Sequence, residues 1–459
     1  MSLTVDSAGG PKQKLSLLDS TCIIVGIIIG AGVFETAPMI ASNISEPVGM
    51  IGAWVLGGLI ALAGALCYTE LVATYPHEGG DYVFLNKAYG RRTGFLFAWA
   101  NFWIIRPGNI GAMVFIAARY ADELWPLGMQ DRGVLIYAVA AVAVLTAINM
   151  LGVKPGAWTQ NGLTALKALG ILVIVVIGGL LVTPVAPEVS PVSTVPIVPA
   201  ETDPASTSNF PFAMILIMFA FGGWNEMSYV AAELRNPRKN ILRAFVLGTI
   251  GVTCIYILIN LAAMRALTYQ GLGDSPTFAT DMMEMQFENG GGVFISLLIC
   301  VSCLGAANGM IFTGSRIFYA VGTDHRLFRW LGDWNEHRGT PARSLLVQSV
   351  VTVGLMIVFG LQGNGFERLV VFTGVFFWFF FLLIGLSLFI LRQKHAGVAR
   401  PYKVVLFPIT PILFCASSIY MLYASLSYAI GHGSIEGFWA IVTMTVGLVI
   451  AMRISQPES

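Results

Sequence analysis

The feature that most constrains this chain is a succession of apolar segments, each long enough to cross a lipid bilayer. A membrane-spanning helix needs about 20 mainly apolar residues. Twelve such segments follow one another, at 15–42, 49–73, 93–119, 133–151, 160–182, 210–232, 240–266, 291–319, 344–361, 366–391, 404–428 and 437–453. Only 11% of the residues are charged, against about 25% in soluble domains. The sequence therefore predicts an all-α polytopic membrane protein with 12 transmembrane helices.

The basic residues of the connections predict the orientation of these segments. If the N-terminus is cytoplasmic, twenty Lys and Arg residues fall on the inner side and four on the outer side. Positive charge in short connections marks the cytoplasmic side of a membrane. We therefore expect a multi-pass protein of the cell (plasma or inner) membrane with both termini in the cytoplasm.

Two of the apolar segments are interrupted by glycine. The first contains Gly26-Ile27-Ile28-Ile29-Gly30-Ala31-Gly32, and the sixth contains Phe219-Ala220-Phe221-Gly222-Gly223-Trp224-Asn225. Glycine in a helix interior costs about 0.5–1 kcal/mol relative to alanine, and unwound backbone is tolerated in a bilayer only where protein covers it or it lines a cavity. Matched glycine breaks indicate the binding site of a transporter, whereas kinks made only for packing are the alternative.

The positions of the two interruptions also predict how the chain is divided. If segment 1 corresponds to segment 6, then segments 1–5 and 6–10 are two five-helix halves. Because five is odd, the halves enter the membrane from opposite sides and form a 5+5 inverted repeat, with helices 11 and 12 added. The predicted parts are a cytoplasmic tail (1–14), the first repeat (15–182), an external Pro-rich loop (183–209), the second repeat (210–391), helices 11 and 12 (392–453) and a second cytoplasmic tail (454–459). A short external amphipathic helix is expected at 274–287.

Each broken helix offers two kinds of backbone group. The first half ends in free carbonyls, which attract a cation such as an ammonium group. The second half begins with free N–H groups, which attract a carboxylate. The carbonyls are predicted at Ile28, Ile29, Phe219, Ala220 and Gly222, and the N–H groups at Ala31, Gly32 and Val33. Both kinds together suit the α-amino and α-carboxylate groups of a free amino acid.

Several sequence motifs resemble those of a known protein family. They are Gly26-Ile-Ile-Ile-Gly-Ala-Gly-Val-Phe34, Gly64-Ala-Leu-Cys-Tyr-Thr-Glu-Leu71, Gly79-Gly-Asp-Tyr82, Ile104-Ile-Arg-Pro107, Phe219-Ala-Phe-Gly-Gly-Trp-Asn225, Glu233-Leu-Arg-Asn-Pro237 with Asn240, Asn308-Gly309, Phe312-Thr-Gly-Ser-Arg316 and Arg400-Pro-x-Lys403. In this order they resemble the L-type amino acid transporters of the amino acid–polyamine–organocation superfamily, and the chain is similar to prokaryotic members.

The resemblance implies the inverted-repeat fold, alternating access and an amino acid held by main-chain atoms of helices 1 and 6. It implies a carboxylate at Ala31 and Gly32, an amine at Ile28, Phe219, Ala220 and Gly222, and Asn225 beside them. Phe219 would be the aromatic gate over the substrate, and Val375 and Phe377 would wall the side-chain pocket. Phe377 replaces the polar residue expected from animal members, so the shape of the pocket does not carry over.

Lys167 lies about 10 Å inside segment 5, at 1.5 Å per residue. By position alone, its side chain could snorkel back to the membrane surface. The resemblance implies another role, in which Lys167 replaces the sodium ion that bridges helices 1 and 8 in sodium-dependent relatives. Its ammonium would then donate to carbonyls near Gly26 to Gly30. We therefore expect transport without sodium; coupling to a proton on Lys167 is a further hypothesis.

Two further charges lie within the apolar segments. Arg106 is near the middle of segment 3, where a charge is normally paired or faces a cavity, so we expect an ion pair or backbone clamp rather than substrate contact. Glu226 follows the second break. It is a candidate for proton coupling or for contact with a cationic substrate, whereas capping of the second half of helix 6 is the alternative.

The predicted function is sodium-independent transport, by exchange or facilitation, of small neutral L-amino acids. A proton- or sodium-coupled symporter and a non-transporting amino acid sensor are the alternatives. We expect no enzyme activity, no cofactor, no metal and no nucleic acid; the lipid bilayer is the surrounding partner. The animal relatives are tethered to a heavy chain by a cysteine after helix 3. Residues 121–131 contain no cysteine, so no disulfide-linked heavy chain is expected.

Overall fold

Helices account for nearly all of the part of the chain that this computed structural model describes. That part comprises residues 13–129, 131–182, 209–275, 277–287, 289–360, 365–431 and 435–453. Within it, the β-structure consists of two isolated bridges, and no strand is formed. The predicted external loop, except for Asn209, and most of the two predicted tails lie outside the described residues. The expectation of an all-α protein is confirmed.

Sixteen α-helices make up the described bundle. They are α1 (Leu17–Ile28), α2 (Gly32–Asn43), α3 (Pro47–Thr74), α4 (Asp81–Tyr89), α5 (Arg91–Ala100), α6 (Arg106–Leu124), α7 (Asp131–Leu151), α8 (Val153–Val176), α9 (Phe210–Ala220), α10 (Pro237–Asp274), α11 (Phe278–Phe287), α12 (Asn289–Asp324), α13 (Ala342–Gly360), α14 (Gly365–Lys394), α15 (Ile409–Gly431) and α16 (Ile435–Arg453). Short π-helices cover Asn101–Ile105 and Ile177–Leu181, and 3-10 helices cover Trp224–Glu233 and Arg326–Leu331.

The helices follow the predicted segments in order, although fewer of them qualify as spans by length. Within the described residues, nine are long and apolar enough to cross a membrane, and ten if the bent pair α1 and α2 counts as one. The third predicted segment is divided among α5, a π-helix and α6, and in the last segment the apolar part of α16 that counts toward a span, Gly437–Arg453, has only 17 residues. Twelve spans and the inverted repeat therefore remain predictions.

The start of the first span is joined to the end of the sixth. Helix α1 begins with a capping box, in which Ser16 Oγ accepts from Asp19 N and Asp19 Oδ2 accepts from Ser16 N. The preceding residue, Leu15, donates its N–H to Glu233 O (2.9 Å) and accepts from Arg235 N (2.9 Å). These backbone bonds hold the two broken spans side by side.

Both breaks predicted from the glycine runs are present. Helix α1 ends at Ile28 and α2 begins at Gly32, with a bend of 44° between them. Helix α9 ends at Ala220, and Gly223 then adopts a left-handed conformation with φ of 109°. The second half of the sixth span is a 3-10 helix, Trp224–Glu233, rather than the expected α-helix.

The short helix expected at 274–287 is also present, beginning four residues later as α11. Phe278, Ala279, Met282 and Met283 form its buried face. Ser275, just before the helix, donates its hydroxyl to Asp281 in the first turn. This one-sided burial is what an amphipathic helix requires.

Candidate functional site

The two helix breaks lie against each other inside the bundle. A Cβ atom on Gly32 would come within 2.9 Å of Ala220 Cα, and one on Gly223 within 2.5 Å of Ile27 Cγ2. Real side chains do not tolerate such separations, so glycine at these two positions permits the close approach. The unwound backbone of the first span thus faces that of the sixth.

A cavity of about 500 Å³ adjoins both breaks. Its lining includes seven of the residues that the sequence predicts to contact substrate: Ile28, Gly32, Phe219, Ala220, Gly222, Val375 and Phe377. It also reaches Met39, near the end of α2, and Arg119, near the end of α6. Sites for small ligands are typically about 300–1,000 Å³ and mostly apolar, so a free amino acid fits this space.

Three residues of the sequence-predicted set do not belong to the described lining. Ala31 is fully buried between the two halves of the first span. Asn225 is buried and donates its Nδ2 to the Tyr229 hydroxyl at 3.1 Å. Lys167, on α8, contacts the first span and Ser302 of α12 instead.

Lys167 is held by three main-chain carbonyls. Its Nζ donates to Gly26 O (2.7 Å), Ile29 O (2.6 Å) and Ser302 O (2.8 Å), and the residue has no exposed surface. An ammonium has three donors, so each one has a carbonyl. The snorkelling interpretation is therefore wrong, and the predicted contacts with carbonyls near Gly26 to Gly30 are present. Lys167 links the broken first span to α12.

Ser302 and Tyr256 complete the hydrogen bonds at the breaks, and the sequence analysis identified neither. Ser302 Oγ lies 3.0 Å from Ile29 O and 3.1 Å from Gly30 O. The Tyr256 hydroxyl, on α10, lies 2.9 Å from both Ile28 O and Ala220 O. A hydroxyl carries one proton, so Tyr256 donates to one break at a time and connects the two.

The carbonyls predicted to be free are partly engaged. Ile29 O is taken by Lys167 and Ser302, so its expected availability to a ligand is not borne out. Ile28 O accepts from Gly30 N (2.8 Å), and Phe219 O accepts from Gly222 N (2.9 Å). A carbonyl oxygen has two lone pairs, so Ala220 O, which accepts from the Tyr256 hydroxyl, retains capacity for a further donor.

Arg106 and Glu226 form a buried ion pair beside the cavity. Arg106 Nη1 donates to Glu226 Oε1 (2.9 Å) and Oε2 (2.8 Å), with side-chain exposures of 3% and 9%. Thr313, another residue not identified from the sequence, donates its hydroxyl to Glu226 Oε2. The ion pair expected for Arg106 is confirmed. Glu226 itself lines the cavity and lies in the first turn of the 3-10 helix.

This arrangement is suited to binding a zwitterion without chemical change. The first N–H groups of a helix have no partner within that helix, and here they begin at the start of α2 beside the cavity. Phe219 and Ala220, at the end of α9, line the same space. The described residues contain no group of His, Cys, Asp and Glu side chains arranged to hold a metal ion.

A polytopic helical membrane protein with a ligand-sized cavity at two broken helices has the architecture of a solute transporter. The family model for amino acid permeases matches residues 15–450. The chain therefore belongs to the amino acid permease family, whose members are transporters and not enzymes.

Individual relatives agree with this assignment. The chain is 29% identical over 460 residues to the b(0,+)-type amino acid transporter 1 of Mus musculus, covering 97% of this chain and 91% of the relative. It is 29% identical over 422 residues to the serine/threonine exchanger SteT of Bacillus subtilis strain 168, covering 91% and 92%. It is also 29% identical over 423 residues to the large neutral amino acids transporter small subunit 2 of Homo sapiens, covering 88% and 75%.

Proposed function

We propose that this protein exchanges or facilitates the passage of neutral L-amino acids across a cell membrane by alternating access, without sodium. The observation that carries the proposal is the cavity at the two breaks, which offers main-chain donors and acceptors beside an apolar space. The relatives named as amino acid transporters and as an exchanger support transport rather than sensing.

In this proposal the main chain recognises the α-carbon groups common to all amino acids. The carboxylate binds the N–H groups of Ala31 and Gly32, at the positive end of α2. The amine binds carbonyls of Ile28, Phe219, Ala220 and Gly222, with Asn225 supporting the second break. Ile28 O also accepts from Gly30 N, so when the amine binds Ile28 O the Tyr256 hydroxyl donates to Ala220 O and holds the second break in place.

The side chain of the substrate points toward Val375 and Phe377. Both residues line the cavity on α14, and their apolar surfaces favour a neutral side chain. Phe219, on the sixth span beside its break, acts as the gate that closes over the substrate.

Lys167 supports sodium independence. Three carbonyls of the first and eighth predicted spans surround its ammonium, as they would surround a bound cation. A covalently attached positive charge at that place makes a dissolved cation unnecessary.

The proposed setting is a cell membrane with both termini in the cytoplasm, as the distribution of basic residues favours. In that orientation the cavity, which extends toward Met39 and Arg119, opens to the outside. The absence of cysteine from residues 121–131 supports a transporter that works without a disulfide-linked heavy chain.

Uptake into proteoliposomes tests the proposal. The purified protein is reconstituted, and labelled leucine or alanine is supplied in choline or sodium buffer, with or without unlabelled amino acid inside. We expect equal uptake in both buffers and inhibition by neutral amino acids. Stimulation by internal amino acid identifies exchange. Uptake that requires sodium, or binding of amino acid with no flux, would overturn the proposal.

A further inference from the structure

Three charged side chains line the described cavity, and they differ in their surroundings. Glu35, on α2, and Arg119, on α6, lie 3.6 Å apart, with side-chain exposures of 28% and 51%. Solvent screens such a pair strongly. Glu226 is different, because its side chain is 9% exposed and lies past the break of the sixth span. Among the charged side chains of the described lining, Glu226 is therefore the one least screened by solvent.

Arg106 cancels that charge within the protein. One guanidinium nitrogen reaches both carboxylate oxygens of Glu226, and Thr313 adds a hydroxyl. The guanidinium also lies 5.2 Å from the centre of the Tyr229 ring. Arg106 does not belong to the cavity lining, so a ligand meets a carboxylate whose counter-charge lies directly behind it.

We propose that the Arg106–Glu226 pair sets the charge preference of this transporter for the substrate side chain. The inference rests on the proposed function and adds a specificity determinant to it. With the pair intact, the charges of Arg106 and Glu226 cancel each other, so Glu226 presents no unpaired charge to an amino acid that is a zwitterion overall. A lysine or glutamate side chain finds no uncompensated partner there and loses its hydration.

Removing one member of the pair leaves the other charge beside the bound substrate. An unpaired buried charge is strongly destabilising until a counter-charge reaches it. In Glu226→Gln the remaining arginine attracts an acidic side chain, and in Arg106→Gln the remaining carboxylate attracts a basic one. The two single variants therefore change preference in opposite directions, and the double variant, which lacks both charges, returns to neutral substrates.

Competition against labelled leucine uptake in proteoliposomes at pH 8 measures this preference. Inhibition constants of glutamate, lysine and leucine are determined for each protein. We expect the ratio of glutamate to leucine affinity to rise at least tenfold in Glu226→Gln. The ratio of lysine to leucine affinity rises at least tenfold in Arg106→Gln. Where a variant transports too little, the same ratios come from thermal stabilisation of the purified variant by each amino acid.

Arg316→Gln is the matched control. Arg316 and Glu233 form a second buried pair, with Nε 2.7 Å from Oε1 and exposures of 0% and 1%, and neither residue lines the cavity. Breaking it removes a buried pair without placing a charge near the ligand, so the affinity ratios stay at the parent values even if stability falls.

Two results would overturn the inference. Single variants whose ratios stay within twofold of the parent would show that the pair does not act on the side chain. An equal change in the inhibition constants of leucine, lysine and glutamate would mean that Glu226 acts on the α-amino group, which all three share. A parent protein that neither transports nor binds amino acids would instead contradict the proposed function itself.

Discussion

Lys167 is a charge buried in the interior of a helical bundle, where water cannot solvate it. Burial of an ammonium is unfavourable unless its donors are satisfied. Here, carbonyls of Gly26, Ile29 and Ser302 satisfy all three. Two of these carbonyls belong to the first span at its break, Gly26 in the last turn of α1 and Ile29 just after it, so the lysine stabilises backbone where the helix ends.

Replacing Lys167 with alanine should reduce leucine uptake at least tenfold. The carbonyls lose their common donor, and the first span loses its link to α12. The measurement is initial uptake in proteoliposomes, with the protein content checked by fluorescence. Lys154→Ala is the control, because Lys154 lies on the same helix but is exposed. Uptake by Lys167→Ala within twofold of the parent would contradict the role of the lysine.

Replacing Tyr256 with phenylalanine should weaken amino acid affinity about tenfold and leave the fold intact. The ring keeps its edge contacts with Trp54 (5.2 Å) and Phe221 (5.3 Å), but the hydroxyl between Ile28 O and Ala220 O is lost. The check is the KM for leucine together with the melting temperature. Tyr269→Phe is a matched control on the same helix, since its hydroxyl donates to Ile44 O, away from the breaks. Equal effects of the two variants on the KM for leucine would contradict this prediction.

Sequence reasoning identified charged residues more readily than hydroxyl groups. Lys167 and Arg106 stand out because a charge in an apolar segment needs a partner. Tyr256 and Ser302 carry single hydroxyl groups, which commonly bond within their own helix, as Thr253 does to Thr249 O. Only the fold reveals that these two hydroxyl groups reach another helix instead.

At the scale of elements, the two breaks depend on glycine for their close contact. Gly32 meets the backbone of Ala220, and backbone cannot move aside as a flexible side chain can. Because of this contact, the N–H groups at the start of α2 and the carbonyl groups at the end of α9 lie beside the same cavity.

Gly32→Ala should lower uptake at least tenfold and lower the melting temperature. An added methyl group would lie 2.9 Å from Ala220 Cα and force the two breaks apart. Gly52→Ala is the control, because Gly52 lies in helix α3 with no atom within 4 Å of its added Cβ. Unchanged uptake in Gly32→Ala would show that the contact of the breaks is not needed.

The position of each break could be predicted from sequence, but the local helix type could not. Glycine runs mark where a helix is weak. Whether the chain then continues as an α-, 3-10 or π-helix depends on tertiary contacts. The 3-10 helix begins directly after Gly223, which adopts a left-handed conformation and packs against Ile27. No sequence pattern predicted this helix type. The same holds for the π-helix Asn101–Ile105 before Arg106.

Over the whole molecule, two acids lie in the connection between the second and third spans, Asp81 fully buried and Glu78 half-buried. Burial raises the pKa of Asp81 to about 7, with the Tyr229 hydroxyl donating to its Oδ2 at 2.7 Å. Burial likewise raises the pKa of Glu78 to about 7. The folded protein thus holds protons on these acids that an unfolded chain, with carboxyl pKa values near 4, has released by neutral pH.

The stability of the protein should therefore fall as pH rises from 5 to 7 and level off above about 8. Each raised carboxyl stabilises fully below its unfolded pKa and loses that contribution as pH rises through its folded pKa, at up to about 1.4 kcal/mol per pH unit. Melting temperature against pH measures the slope. Asp81→Asn should flatten it, whereas Asp333→Asn, at a side chain 58% exposed, should not. Parallel curves for the parent and Asp81→Asn would contradict this prediction.

The overall architecture was more accessible to sequence analysis than the arrangement of its parts. Segment length and hydropathy predict the helices in their correct order because a bilayer fixes the length of a span. Contacts between residues far apart in the sequence were predicted less fully. Arg106 was expected to form an ion pair, but its partner, Glu226, lies 120 residues away and became evident only in the fold.

The most direct test of the central claim is to locate a bound amino acid. Cryo-electron microscopy of the protein in lipid nanodiscs, with an antibody fragment for alignment and leucine in excess, provides that measurement. We expect density in the cavity beside Gly32 and Ala220, with the carboxylate at the start of α2 and the side chain toward Val375 and Phe377. Density elsewhere in the bundle, or first and sixth helices that run unbroken when leucine is bound, would contradict it.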